Sequence, residues 1–203
     1  DIYRNQFIAQ LNHRLEGNTL IAFKRQEHGK KIRDAIKQIE TKSHPLYFVD
    51  ANVKKEKRIE YADEIKGLKR SSMVASLGTT STGINIPNIN SVIVTCQIKS
   101  KITVPQLIGR GLRVTDDKKT VDIYDIGDDL TYNGKQNTTY KHFLERLEYY
   151  GSQGFAVKIV KKTFPNIRLT LVGSGDQLSQ FKNYSREIGI EKNVFFVGEK
   201  SGK

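Results

Sequence analysis

Five short apolar runs recur along the chain with helical periods between them, and this alternation restricts the fold more than any other feature of the sequence. They are Thr19-Leu20-Ile21-Ala22-Phe23, Leu46-Tyr47-Phe48-Val49, Met73-Val74-Ala75-Ser76, Val92-Ile93-Val94-Thr95 and Val121-Asp122-Ile123-Tyr124-Asp125. The first four have almost no polar face to give to solvent, so they suit strands covered on both sides, as in a parallel sheet. Between them the spacing turns helical. Ile2, Phe7, Ile8, Leu11 and Leu15 predict a helix over 2–16, closed by the turn chemistry of Glu16-Gly17-Asn18. Ile32, Ala35, Ile36 and Ile39 share one face of a helix over 27–41, and further helices are expected over 53–66, 103–113 and 138–150. Strand and helix in turn predict a layered α/β domain built on a parallel sheet.

The chemistry is concentrated in two stretches. Gln106-Leu107-Ile108-Gly109-Arg110-Gly111-Leu112-Arg113 has the form Q-x-x-G-R-x-x-R. On a helix Gln106, Arg110 and Arg113 project from one face, and two forked guanidiniums beside an amide suit a polyphosphate. An amphipathic helix with surface arginines has the same pattern. Upstream, the strand at Val74-Ala75-Ser76 runs into Leu77-Gly78-Thr79-Thr80-Ser81-Thr82-Gly83-Ile84-Asn85-Ile86-Pro87. A loop of hydroxyls and glycines offers donors to phosphate oxygens, although a Ser/Thr-rich surface loop without a ligand looks the same.

Charge points the same way. The net charge is +12, from 34 basic and 22 acidic residues, which suits a polyanionic partner, nucleic acid first; a solvated basic face is the plain alternative. The lone cysteine, Cys96, excludes an internal disulfide framework, fits a reducing cytoplasm, and lies in an apolar run as a core residue. No apolar stretch is long enough to span a bilayer, so no membrane partner is expected. The start Asp1-Ile2-Tyr3-Arg4 lacks both Met and a signal-peptide pattern, so the chain is expected to be cut from a longer protein.

Taken together these stretches resemble the second RecA-like domain of superfamily 2 helicases. Thr19–Phe23 is similar to motif IV, Ala75–Pro87 to motif V and Gln106–Arg113 to motif VI. Lys99-Ser100-Lys101-Ile102-Thr103-Val104-Pro105 and the acidic strand end Asp125-Ile126-Gly127-Asp128-Asp129 bring the likeness nearest to the phage UvsW-like and Rad25-like helicases. The resemblance covers residues 1–155 and implies a RecA-like three-layer domain. It implies that Arg110 and Arg113 reach the γ-phosphate of ATP, one as an arginine finger, and that Gln106 senses the phosphate or orients the attacking water. Gly83 and Asn85 are implied at the nucleotide, though many relatives carry Asp where Asn85 stands. Thr79, Thr80, Ser81 and Thr82 are implied to grip the nucleic-acid backbone, expected to be DNA, with Lys99 and Lys101 as further phosphate contacts. His28 and Gly29 are candidates for the same surface. The setting implied is the cytoplasm of a phage-infected or bacterial cell.

No G-x-x-x-x-G-K-[ST] loop and no D-E-x-H box is present. In the family the first RecA-like domain holds most of the nucleotide and Mg²⁺. The expectation is therefore half of an active site, with the N-terminal RecA-like domain as the necessary partner and no ATP hydrolysis by this chain alone.

From 156 onward the pattern changes. Ile167–Val172, a helix over 176–188, and Asn193–Val197 form a β-α-β unit, with Gly173-Ser174-Gly175 after its first strand. This resembles the donor-domain entry of family 4 GT-B glycosyltransferases, without the downstream acidic motif or the basic donor-phosphate residues. The alternative readings are an engineered or recombined chimera without retained activity, or a nucleotide-sugar-binding fragment. Residues 156–162 form either a last helicase strand or a glycosyltransferase helix, and the unit is expected to extend the sheet by docking on an edge.

Overall fold

The computed structural model describes residues 2–40, 44–81, 88–96, 120–131, 134–159, 169–172, 183, 186 and 194–197. The most apolar run becomes the central strand. β1 (Asn18–Phe23) is buried along its whole length. It lies between β3 (Ser71–Ser76) and β4 (Ile89–Val94), with Ile21 opposite Val74 on one side and Ile93 on the other. β2 (Leu46–Val49) pairs outside β3, and β5 (Asp122–Asp125) outside β4. All pairs are parallel and the order is β2-β3-β1-β4-β5. Strands covered on both faces suit apolar runs, as in β1, β3 and β4, although the apolar Leu46–Val49 stands at an edge. The edge strands β2 and β5 carry half-buried residues instead.

Successive strand side chains alternate between the two faces. Ile21, Phe23, Val74 and Ile93 pack with Ile8 and Ala9 of α1 (Ile2–Arg14) and with Ile32 and Ile36 of α2 (Gln26–Ile39). Leu20, Ala22, Met73, Ala75, Val92 and Val94 face the other way. They pack with Ala62 and Ile65 of α3 (Lys55–Lys66) and with Tyr150 of α5 (Thr138–Ser152). The result is the expected three layers, helix on sheet on helix. Cys96 is a core residue, its thiol pushed up to about 12 by burial.

Polar groups bind the strand entrances. Gly17 turns the chain into β1 with φ +76°, a left-handed conformation that a side chain disfavours, and the Asn90 side chain occupies the space a Cβ would need. Asn90 accepts a hydrogen bond from the Asn18 N–H at 2.9 Å. The buried Asn18 amide donates to the carbonyls of Ile65 and Leu68 and accepts from Ser71 Oγ, so none of its polar atoms is stranded.

One local expectation changes. The stretch after β3, expected as a loop, starts with a single helical turn, α4 (Leu77–Ser81). Ser76 nucleates it: its hydroxyl accepts from the Thr79 N–H at 3.4 Å, as an N-cap side chain does. The helix expected over 103–113 lies outside the described residues.

The chain divides after Val157 into two compact units, Asp1–Val157 and Lys158–Lys203. Residues 155–159 are exposed and irregular, neither the strand nor the helix that 156–162 suggested. In the second unit β6 (Leu169–Val172) and β7 (Val194–Val197) pair in parallel, Leu169 opposite Val194. They form a two-stranded sheet of their own. Each of these strands finds its ladder partner inside its own unit. Of the helix expected over 176–188, residues 183 and 186 are helical and the others lie outside the described residues.

Candidate nucleic-acid interface

In a parallel sheet every strand ends on the same edge, and the returning helices open their N-termini there. Here that edge gathers Lys24 and Arg25 after β1, Asp50–Lys54 after β2, α4 after β3, Thr95 and Cys96 after β4, and residues 126–131 after β5.

α4 places Thr79 with its hydroxyl turned into the domain. Thr79 is 4% exposed, and its Oγ1 donates to the Ser76 carbonyl at 2.8 Å, with Val49 O at 3.5 Å and Ser76 Oγ at 2.9 Å. That hydroxyl ties the end of β3 to the end of β2. The Thr79 N–H is turned to Ser76 Oγ at 3.4 Å as well. Thr80 and Ser81 follow in the same turn. Thr82, Gly83, Asn85, Lys99, Lys101, Gln106, Arg110 and Arg113 lie outside the described residues.

Beside α4, the helices α2 and α3 begin at Gln26 and Lys55, and neither N-cap residue, Arg25 or Lys54, makes a side-chain capping bond. Uncapped N–H groups with the positive end of the helix dipole attract anions. Lys24, Arg25, Lys54 and Lys55 are all exposed around these two ends. The turn before α3 is stiff. Asp50 accepts from the Asn52 N–H at 2.9 Å, and Arg58 spends its guanidinium on the carbonyls of Val53, Asp50 and Ala51 at 2.7, 3.2 and 3.3 Å. Sequence reasoning passed over these four cations because lysines and arginines at helix starts look like ordinary surface residues; only the shared edge distinguishes them.

His28 and Gly29, beside this face, are engaged in contacts within the domain. Arg4 reaches across from α1, with Nε on both Asp128 oxygens (3.0 and 2.9 Å), Nη2 donating to Thr95 O (2.8 Å) and Nη1 at 3.2 Å from His28 Nε2. His28 Nε2 also lies 3.2 Å from Asn5 Oδ1, so the ring sits between a donor and an acceptor of α1. Burial, then the neighbouring Arg4 charge, lowers its pKa to about 4. Gly29 lies under Phe23, whose ring would stand 2.7 Å from an added Cβ. Its role is close packing. The sequence gives no local sign of the Arg4 clamp, because Arg4 and Asp128 lie 124 positions apart.

The lowered histidine has a measurable consequence. A folded pKa below the unfolded 6.5 means that the unfolded chain binds the proton first. His28 therefore favours folding above pH 6.5, and that contribution drains away as pH falls toward about 4. In urea denaturation from pH 7 to 4.5, His28→Gln is expected to lose less stability than the parent. Equal slopes would show that His28 is not the group titrating.

A second cluster closes the far side of the edge. Arg146 of α5 grips Asp125 with two hydrogen bonds, 2.6 and 2.8 Å, and Tyr150 Oη donates to the same carboxylate at 2.8 Å. Both partners of the ion pair are 6% exposed. Among the described residues no group of three or more His, Cys, Asp or Glu side chains forms a metal site, and no helix is long and apolar enough to cross a membrane.

Residues 3–115 match the helicase conserved C-terminal domain. The chain is 33% identical over 165 residues to the ATP-dependent DNA helicase uvsW of Enterobacteria phage T4, covering 75% of this chain and 32% of that protein. The crystal structure of T4 UvsW superposes with a TM-score of 0.63 over 76% of this chain and 33% of the other. The C-terminal domain of the DEAD-box protein Dbp5, at 14% identity, shares the fold with a TM-score of 0.55 over 75% of this chain and 81% of that domain. The chain thus spans about a third of the length of its phage relative. None of these matches supports the glycosyltransferase resemblance of 156–203, and the reading of the chain as a chimera goes unsupported with it.

Proposed function

Because the chain belongs to the helicase C-terminal domain family, we propose that it is the second RecA-like half of an ATP-dependent DNA helicase or translocase of the branched-DNA type, acting in a phage-infected cell. The observation that carries the nucleic-acid part is the edge at which the uncapped starts of α2 and α3, with Lys24, Arg25, Lys54 and Lys55, lie beside α4. Main-chain donors and fixed positive charge grip a phosphate backbone without reading bases. On this reading Thr80, Ser81 and Thr82 add donors from the same turn and its continuation, and Lys99 and Lys101 add charge.

The nucleotide part rests on the family resemblance alone. Gln106, Arg110 and Arg113 face ATP and Mg²⁺ held chiefly by another RecA-like domain, with Gly83 and Asn85 near the nucleotide. Alone, the chain then binds DNA without hydrolysing ATP.

Fluorescence anisotropy with labelled single-stranded and branched DNA over a salt series tests the first part. Phosphate contacts release counterions, so affinity is expected to fall steeply with salt. Alanine at Lys24, Arg25, Lys54 and Lys55 should flatten the log–log slope by about 1 for each phosphate no longer neutralised. Arg110→Ala with Arg113→Ala should leave binding intact, because those arginines serve the nucleotide. Absence of binding at low salt, or a slope indifferent to the four alanines, would overturn the proposed interface.

A further inference from the structure

At the opposite edge of the sheet, where the strands begin, four elements converge on one carboxylate. Glu40, at the C-cap of α2, has a side chain only 5% exposed. Its Oε1 lies 3.4 Å from Asn12 Nδ2, 3.3 Å from His13 Nδ1 and 3.5 Å from Arg70 Nη2. Its Oε2 lies 3.4 Å from Nδ1 of His44, an equally buried ring just before β2. On its other side His44 Nε2 is 2.7 Å from Ser72 Oγ.

Hydrogen-bond direction fixes the protons. The Asn12 amide points its NH₂ at Glu40, so its oxygen faces Ser72, which donates to it at 2.8 Å. The single hydroxyl proton of Ser72 is thereby used, and the short contact to His44 requires that Nε2 carry a hydrogen. A neutral His44 then turns the lone pair of Nδ1 toward the Glu40 carboxylate. Among the described residues no donor reaches that nitrogen. A proton there converts a repulsive approach into an ion pair at 3.4 Å.

We propose that His44 Nδ1 is the proton-binding position of a pH-sensitive joint, which Glu40 rewards for filling and Arg70 and His13 penalise. The charged and titratable groups facing it come from each packed element: His13 from α1, Glu40 from α2 and Arg70 from the entrance to β3. Burial is the largest influence and keeps the ring neutral, lowering its pKa from the ordinary value; Glu40 opposes it, and Arg70 and His13 assist it. The joint therefore stays in its neutral form at pH 7 and fills in acid. Because the unfolded histidine takes its proton more readily, stability is lost as pH falls below 6.5. The Asn12–Ser72–His44 relay then links that proton to the seating of α1 on β3.

The test is an NMR titration of the His44 ring in the whole chain, from pH 8 to 4, with the other three histidines assigned by substitution. His44 is expected to titrate below 6.5. Glu40→Gln, which keeps the shape and removes the opposing charge, should move its midpoint further down. Arg70→Gln, at a side chain 39% exposed, should move it up. Opposite shifts in two conservative variants are not produced by a general loosening of the fold. A His44 midpoint at or above 6.5, or one that does not respond to Glu40→Gln, would overturn the proposal.

Discussion

Arg146→Ala is expected to destabilise the larger unit by about 3–5 kcal/mol, the usual cost of leaving one half of a buried ion pair behind. The parent pair is nearly sealed from water, with Arg146 bonded to both Asp125 oxygens. Among the described residues, truncation leaves Asp125 with the Tyr150 hydroxyl as a side-chain donor. It also weakens the hold of α5 on that strand end, which then rests on Tyr150. Against a typical domain stability of about 5–15 kcal/mol the loss is severe. Cys96 supplies the readout. Its thiol is buried and held largely protonated, so alkylation at pH 8 reports opening of the core. Labelling of the variant in mild urea should run about 100-fold faster or more, by the conversion of 1.4 kcal/mol per tenfold change in equilibrium. Arg146→Met with Asp125→Leu should recover much of the loss, since apolar replacement of both partners removes the stranded charge. A loss under about 1 kcal/mol for Arg146→Ala alone would mean that water reaches Asp125 easily.

Phe23→Ala should cost a comparable amount, about 3–5 kcal/mol, through a different term: lost burial and the cavity left behind. Phe23 is fully buried at the end of the central strand. It stacks on Phe48 with ring centroids 5.4 Å apart and planes 11° apart, and it packs over Gly29. The same geometry predicts a coupling. Gly29→Ala puts a methyl into the ring and is expected to cost about 1–3 kcal/mol as overpacking. In a Phe23→Leu background most of that penalty should vanish, so the two changes combine with less than the sum of their costs. Urea midpoints of the four proteins in the cycle decide it. Strict additivity would show that Gly29 is constrained by something other than the ring.

The layered architecture was legible because apolar runs without a polar face fit few environments other than the inside of a parallel sheet. Helix starts and ends came within a few residues, as for α5, expected over 138–150 and found at Thr138–Ser152. The site was legible in a different sense. Motif order drew the eye to the ends of the strands, but the hydroxyl row concealed the short helix in which Thr79 turns inward. His28 looked like a surface ligand because nothing near it in sequence announces Arg4. Such pairings are made by the fold, and composition carries no trace of them. The four exposed cations around α2 and α3 have the opposite difficulty: they are individually commonplace, and convergence alone gives them meaning.

The clamp between Arg4 and Asp128 has a consequence for synthesis. Its halves lie 124 positions apart, so the first helix emerges from the ribosome long before the carboxylate that anchors it. At about 5–20 residues per second, that interval is roughly 6–25 s. During it β1, β2 and β3 are already available to pair, while Arg4 has His28 and then Thr95 O to bond before Asp128 arrives. The clamp therefore closes a long chain loop back onto α1, with α5 still to be added. The nascent protein holds Arg4 beside a growing apolar sheet without the Asp128 carboxylate until the fifth strand has been made.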